Sequence, residues 1–200
     1  MSPTSIRQPP SLLRRVAAAT ALLSLAVTGL AQDPIEREGY FEVRTAETML
    51  SNGVHMLDAR LQLVLSSEAL DALNAGVPLT IELQMQLIRV RRFYMDALDA
   101  ELAVRFELQL SPVSQRYVVR NLNSGDQDSF ATLYSALNSL GRITELPIID
   151  DALLQPDKPY RVRARAMLQT QQYPAPLRLL FFWRSQWQLQ SEWLEWMLER

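Results

Sequence analysis

Apolar residues recur at every second position through most of this chain, and that period constrains the fold more than any other feature. Leu57, Ala59, Leu61, Leu63 and Leu65 alternate with Asp58, Arg60, Gln62 and Val64. Leu79, Ile81, Leu83, Met85 and Leu87 alternate with Thr80, Glu82, Gln84 and Gln86. The same holds for Leu102, Val104, Phe106, Leu108 and Leu110, and again for Tyr160, Val162, Ala164, Ala166 and Leu168. Successive side chains of a strand point to opposite faces, so each run predicts one buried and one wet face. Antiparallel sheets with a single face in a core have this signature.

Further strands are expected near 116–122, 126–130, 142–149 and 177–190, with turns at Ser111–Ser114 and Asn123–Asp126. Two short helices interrupt the pattern. Ser66 or Ser67 can cap one running to Asn74, with Gly76 and Pro78 stopping it; Thr132 can cap another running to Leu140, with Gly141 ending it. The chain therefore reads as mainly β. The expected architecture is an antiparallel β-sandwich, immunoglobulin-like in general shape, with two short helices; a partly open barrel is the alternative.

The first 31 residues stand apart. Arg14 and Arg15 precede VAAATALLSLAVTGLA, an uncharged run from Val16 to Ala31, and Gly29 and Ala31 supply the small side chains of a cleavage site. Positive, apolar, small and then polar is the order of a secretory signal peptide. Sixteen residues of helix rise about 24 Å, short of the ~30 Å hydrocarbon core that a membrane anchor must cross. The expected division is a signal peptide over 1–31, a linker over 32–40 and a β-sandwich domain over 41–200. The expected compartment is the periplasm, with attachment to the inner membrane if the leader is retained.

Composition narrows the function classes. The leader holds Arg7, Arg14 and Arg15 and no acid, so the remainder carries 17 basic against 22 acidic residues, a net of −5. That balance argues against nucleic acid as a partner, because binding a phosphate backbone needs a basic field. The absence of cysteine rules out disulfides, thiolate metal sites, cysteine nucleophiles and lipoprotein acylation. His55 is the sole histidine, which leaves little for a histidine-based triad or metal centre, and it is expected on the surface of a turn spanning Ser51–His55. No cofactor is expected.

Several segments taken together resemble DUF4390, a bacterial family of unknown function. They are Ala59–Leu63, Leu70–Leu83 (LDALNAGVPLTIEL) and Tyr117–Asn123 with Gly125, then Leu140–Ile143 with Leu146-Pro147, and Trp187–Leu189 with Ser191–Trp193. The resemblance covers roughly residues 45–197. It implies an exported or membrane-attached envelope protein of proteobacteria, a kind sometimes described as a proline-rich signal peptide protein. It carries over no catalytic residue. Genes of the family often sit beside one for a nitrogen-regulation-type sensor kinase, which implies a periplasmic accessory role to such a kinase.

Four clusters are candidates for function. Arg161, Arg163 and Arg165 share one strand face about 6.7 Å apart and could clamp phosphate or carboxylate; the plainer reading is cross-strand ion pairing with residues such as Glu82 or Glu107. Arg91, Arg92, Phe93 and Tyr94 follow Arg89 at the end of a long strand, where a basic-aromatic tip could touch an anionic membrane or simply be solvated. All four tryptophans, Trp183, Trp187, Trp193 and Trp196, fall near the C-terminus and suit either the core or a partner or membrane contact; Trp187, Leu189, Ser191 and Trp193 alternate as a strand, while Trp193 with Trp196 and Met197 fits a terminal helical turn. Among the acids, Asp96, Asp99 and Glu101 could offer oxygens to a cation but lack the spacing of a calcium loop, and Asp150-Asp151 reads as a helix cap.

The expectation is thus a non-enzymatic binding or interaction module of the cell envelope, with an envelope protein or lipid as partner. Membrane association would come through the leader or through a partner. The alternatives are a carrier or sensor of an anionic lipid or glycan, and an envelope hydrolase built on two carboxylates.

Overall fold

A computed structural model of the chain describes residues 37–169 and 189–199, and among them are nine strands and two α-helices. The strands are β1 (Tyr40–Ser51), β2 (Val54–Val64), β3 (Leu79–Arg89), β4 (Ala97–Ser111), β5 (Arg116–Asn121), β6 (Gln127–Phe130), β7 (Arg142–Asp150), β8 (Tyr160–Gln169) and β9 (Leu194–Met197). The helices are α1 (Ser67–Asn74) and α2 (Leu133–Leu140). The strands form two antiparallel sheets, one of three strands in the order β1-β2-β7 and one of six in the order β6-β5-β4-β3-β8-β9. The four alternating runs of the sequence lie in β2, β3, β4 and β8 with their apolar sets facing inward, so the architecture is the expected β-sandwich.

The two sheets meet through the apolar sets of these strands. Leu57 and Ala59 of β2 and Ile143 of β7 pack on Leu83 and Met85 of β3, Val104 of β4 and Ala164 of β8. Burying a side chain of this size stabilises by roughly 1.5–3 kcal/mol. Toward one end of the sandwich this layer joins a cluster sealed by the helices, in which Ala69, Ala72 and Leu73 of α1 and Ala136 and Leu140 of α2 cover Leu79, Leu108 and Val119. Ser66 accepts from the Ala69 N–H and Thr132 from the Ser135 N–H, so both helices have the caps expected of them.

The opposite end is closed by loops. Arg89, Ala97 and Tyr160 are level with one another at the ends of β3, β4 and β8. Asp150 is level with Val54 at the end of β7, and the Asp151 N–H donates to Gly53. Leu87, Leu154, Tyr160, Val162 and Leu198 form the seal beneath these loops.

Three local readings change. The β1–β2 turn is only the two residues Asn52 and Gly53, both at positive φ (50° and 80°), the type I′ geometry that an Asn-Gly pair favours. His55 is therefore already in β2 and shares the inward phase of Leu57 and Ala59; it is fully buried rather than on a turn surface. Residues 37–39 are not a free linker. Arg37 donates its N–H to the Ser67 hydroxyl, and a Cβ on Gly39 would sit 2.3 Å from the Ser66 nitrogen, so only glycine fits there. Trp196 and Met197 lie in β9 and not in a helical turn, because Leu194–Met197 pair with Arg161–Ala164 of β8. Of the strand expected over 177–190, all but Leu189 and Gln190 lie outside the described residues, as does the leader.

Candidate functional site

The arginine row projects from the outer face of β8, as its period requires. Arg163 stands opposite Gln86 of β3 and Glu195 of β9, and Arg165 opposite Gln84. The Nε of Arg163 donates to Gln86 at 2.8 Å, the Nε of Arg165 donates to Gln84 at 2.8 Å, and Arg161 pairs with Asp96 and with Glu195 at 3.0 Å. The Trp193 ring stacks against both neighbours, 4.5 Å from the Arg163 guanidinium carbon and 4.4 Å from that of Arg165. Each such cation–π contact contributes about 0.5–1 kcal/mol at an exposed site.

The row is thus a cross-strand ladder whose partners differ from Glu82 and Glu107. Those two acids bind Arg105 and Arg120 instead, at 2.7 and 2.9 Å. Glu82 lies opposite Met167 on β8, and Glu107 lies on β4, which β3 separates from β8. Arg161 and Arg163 are ion-paired within the sheet, whereas Arg165 makes no ion pair among the described residues and is held by Gln84 and the Trp193 ring.

The acids of the Asp96–Glu101 segment are similarly engaged. Asp96 accepts from the Arg91 N–H at 3.1 Å and pairs with Arg161; Asp99 pairs with Arg89 at 3.0 Å and accepts from the Tyr160 hydroxyl at 3.1 Å. Glu101 accepts from Gln84. Among the described residues no group of three or more His, Asp or Glu side chains is placed to hold a metal ion.

Asp150 precedes a single 3₁₀ turn (Asp151–Leu153) and makes no side-chain cap bond there. Asp151 reaches instead to His55, with its Oδ1 2.9 Å from Nε2. The other ring nitrogen, Nδ1, is buried without a partner. Sequence alone did not bring these two together, because they are 96 positions apart.

Of the aromatic candidates, Trp196 packs beneath the loop end and donates to the Thr48 hydroxyl at 3.2 Å. Trp193 lies under the arginines, and Trp183 and Trp187 lie outside the described residues. The β3–β4 loop differs in kind. Phe93, Tyr94 and Met95 are 84%, 79% and 90% exposed, three consecutive large apolar side chains turned to solvent. Arg91 and Arg92 flank them, and Lys158 faces them from the turn before β8 across a groove of about 840 Å³.

More exposed apolar side chains lie at this same end. Leu98 sits at the start of β4, Met49 and Leu50 beside the β1–β2 turn, Leu153 in the 3₁₀ turn and Met197 at the end of β9. The sequence did signal the basic-aromatic tip. It did not show that the β1–β2 turn and the β7–β8 connection come to the same end.

The model of a family described as a domain of unknown function, DUF4390, matches residues 39–197, from the start of β1 to the last residue of β9. The chain belongs to the DUF4390 family. The match takes in both sheets and both helices, so the loop end and the arginine ladder are parts of the DUF4390 domain itself. No curated protein and no solved structure matches the chain. Among the described residues no helix is long and apolar enough to cross a membrane.

Proposed function

We propose that this DUF4390 domain is a non-enzymatic binding module of the cell envelope, exported by its leader, and that its loop end is the contact face. The observation that carries this reading is the gathering of exposed apolar side chains at one end of the sandwich, Phe93, Tyr94, Met95, Leu98 and Leu153 among them. Contiguous exposed apolar surface is costly in water, and where it persists it commonly marks a contact with a protein or a membrane. The leader, with its Arg-Arg pair, apolar run and small residues, supports the envelope as the compartment. A membrane sensor kinase fits as the protein served, on the strength of the family's gene neighbourhood.

The test is photo-crosslinking in the native envelope from position 94 and position 153, against positions 113 and 134 at the helix-capped end. The reading expects crosslinks to envelope components from the first pair and not from the second. Equal or absent crosslinking from both pairs would overturn it.

A further inference from the structure

We propose that the loop end docks on an anionic phospholipid surface, with Phe93, Tyr94 and Met95 entering the headgroup boundary and Arg91, Arg92 and Lys158 meeting lipid phosphates. The inference rests on the reading of the domain as a binding module and narrows the contact to a bilayer. Three consecutive side chains as exposed as these form a convex tip. Such a tip can enter a fluid surface that closes around it, and the groove at its base is flanked by Arg91, Arg92 and Lys158. Aromatic side chains favour that depth, because an apolar ring and a polar edge are both accommodated there.

Charge selects the lipid. The neighbouring acids are spent on internal partners, Asp96 on Arg161 and Asp99 on Arg89. Arg91, Arg92 and Lys158 make no ion pair among the described residues, and Asp157 on the groove wall offsets only one of them. The groove behind the tip, at about 840 Å³, has room for a phosphate-bearing headgroup.

The chain has no cysteine, so a single introduced thiol carries a polarity-sensitive dye to one place. The full chain labelled at Met95→Cys, and separately at Val113→Cys, is mixed with phosphatidylglycerol–phosphatidylcholine vesicles and with pure phosphatidylcholine vesicles. Both labelled chains have the same leader, so a difference between them belongs to the tip. The expected result is a blue shift at position 95 on the anionic vesicles only, with none at 113. Vesicle affinity should fall about fivefold for each of Arg91→Gln, Arg92→Gln and Lys158→Gln, and should weaken as salt rises.

An unchanged spectrum at 95, an equal shift at 113, or affinity indifferent to all three cations would overturn the proposal. A tip that ignores both vesicles yet crosslinks to an envelope protein would remove the lipid assignment and leave the binding module standing. Failure of both experiments would remove both readings.

Discussion

At the helix-capped end of the sandwich, α1 and α2 lie over Leu79, Leu108 and Val119, and the exposed apolar residues around them, Tyr40, Val113 and Tyr134, are scattered singly. At the loop end, Tyr160, Leu154 and Leu198 seal the core just as fully, yet Phe93, Tyr94, Met95, Leu98, Met49, Leu50 and Leu153 remain exposed beyond the seal. A sandwich needs both ends closed where its strands run out. The helix-capped end does this with little apolar surface left over. The surplus at the loop end plays no part in closing the core, so folding does not account for it.

Substitutions at the two ends should separate these roles. Leu73→Ala, in the fully buried face of α1, should cost the most, about 2–5 kcal/mol of unfolding free energy in a denaturant titration. His55→Ala, beneath the loop end, should cost about 1–3 kcal/mol, because it removes buried volume and takes away the histidine partner of Asp151. Ser66→Ala, which removes the α1 cap, should cost about 1 kcal/mol. The triple change Phe93→Ser, Tyr94→Ser and Met95→Ser should move stability by no more than about 0.5 kcal/mol, as for surface positions outside the core. A large loss from the tip triple would break the comparison, since it would make those side chains part of the fold. A negligible loss from Leu73→Ala would break it from the other end.

Much of the fold was legible because β2, β3, β4 and β8 each keep an unbroken period of two, and both helices carry Ser or Thr caps. β1 was harder to read. Its register shifts between Val43 and Thr45, so the inward phase changes part-way along the strand. β9 was misread because four residues carry little period of their own and are held extended by pairing with β8.

The candidate site divides in the same way. The Phe93–Met95 tip and its flanking arginines are contiguous in sequence and visible there. The arginine row was legible as a face, but its partners depend on strand order, which places Gln84, Gln86 and Glu195 beside it and puts β3 between it and Glu107. The His55–Asp151 contact and the meeting of three loops at one end depend on tertiary structure, and no local pattern encodes them.

The most direct test of the loop end as the contact face is thiol labelling in the native envelope. Chains with Met95→Cys or Val113→Cys are treated with a maleimide, and each labelling rate is compared with that of the purified chain. The account predicts that position 95 labels at least about tenfold more slowly in the envelope, equivalent to about 1.4 kcal/mol of protection, while position 113 keeps its rate. Equal rates at position 95 in the envelope and in solution would contradict it.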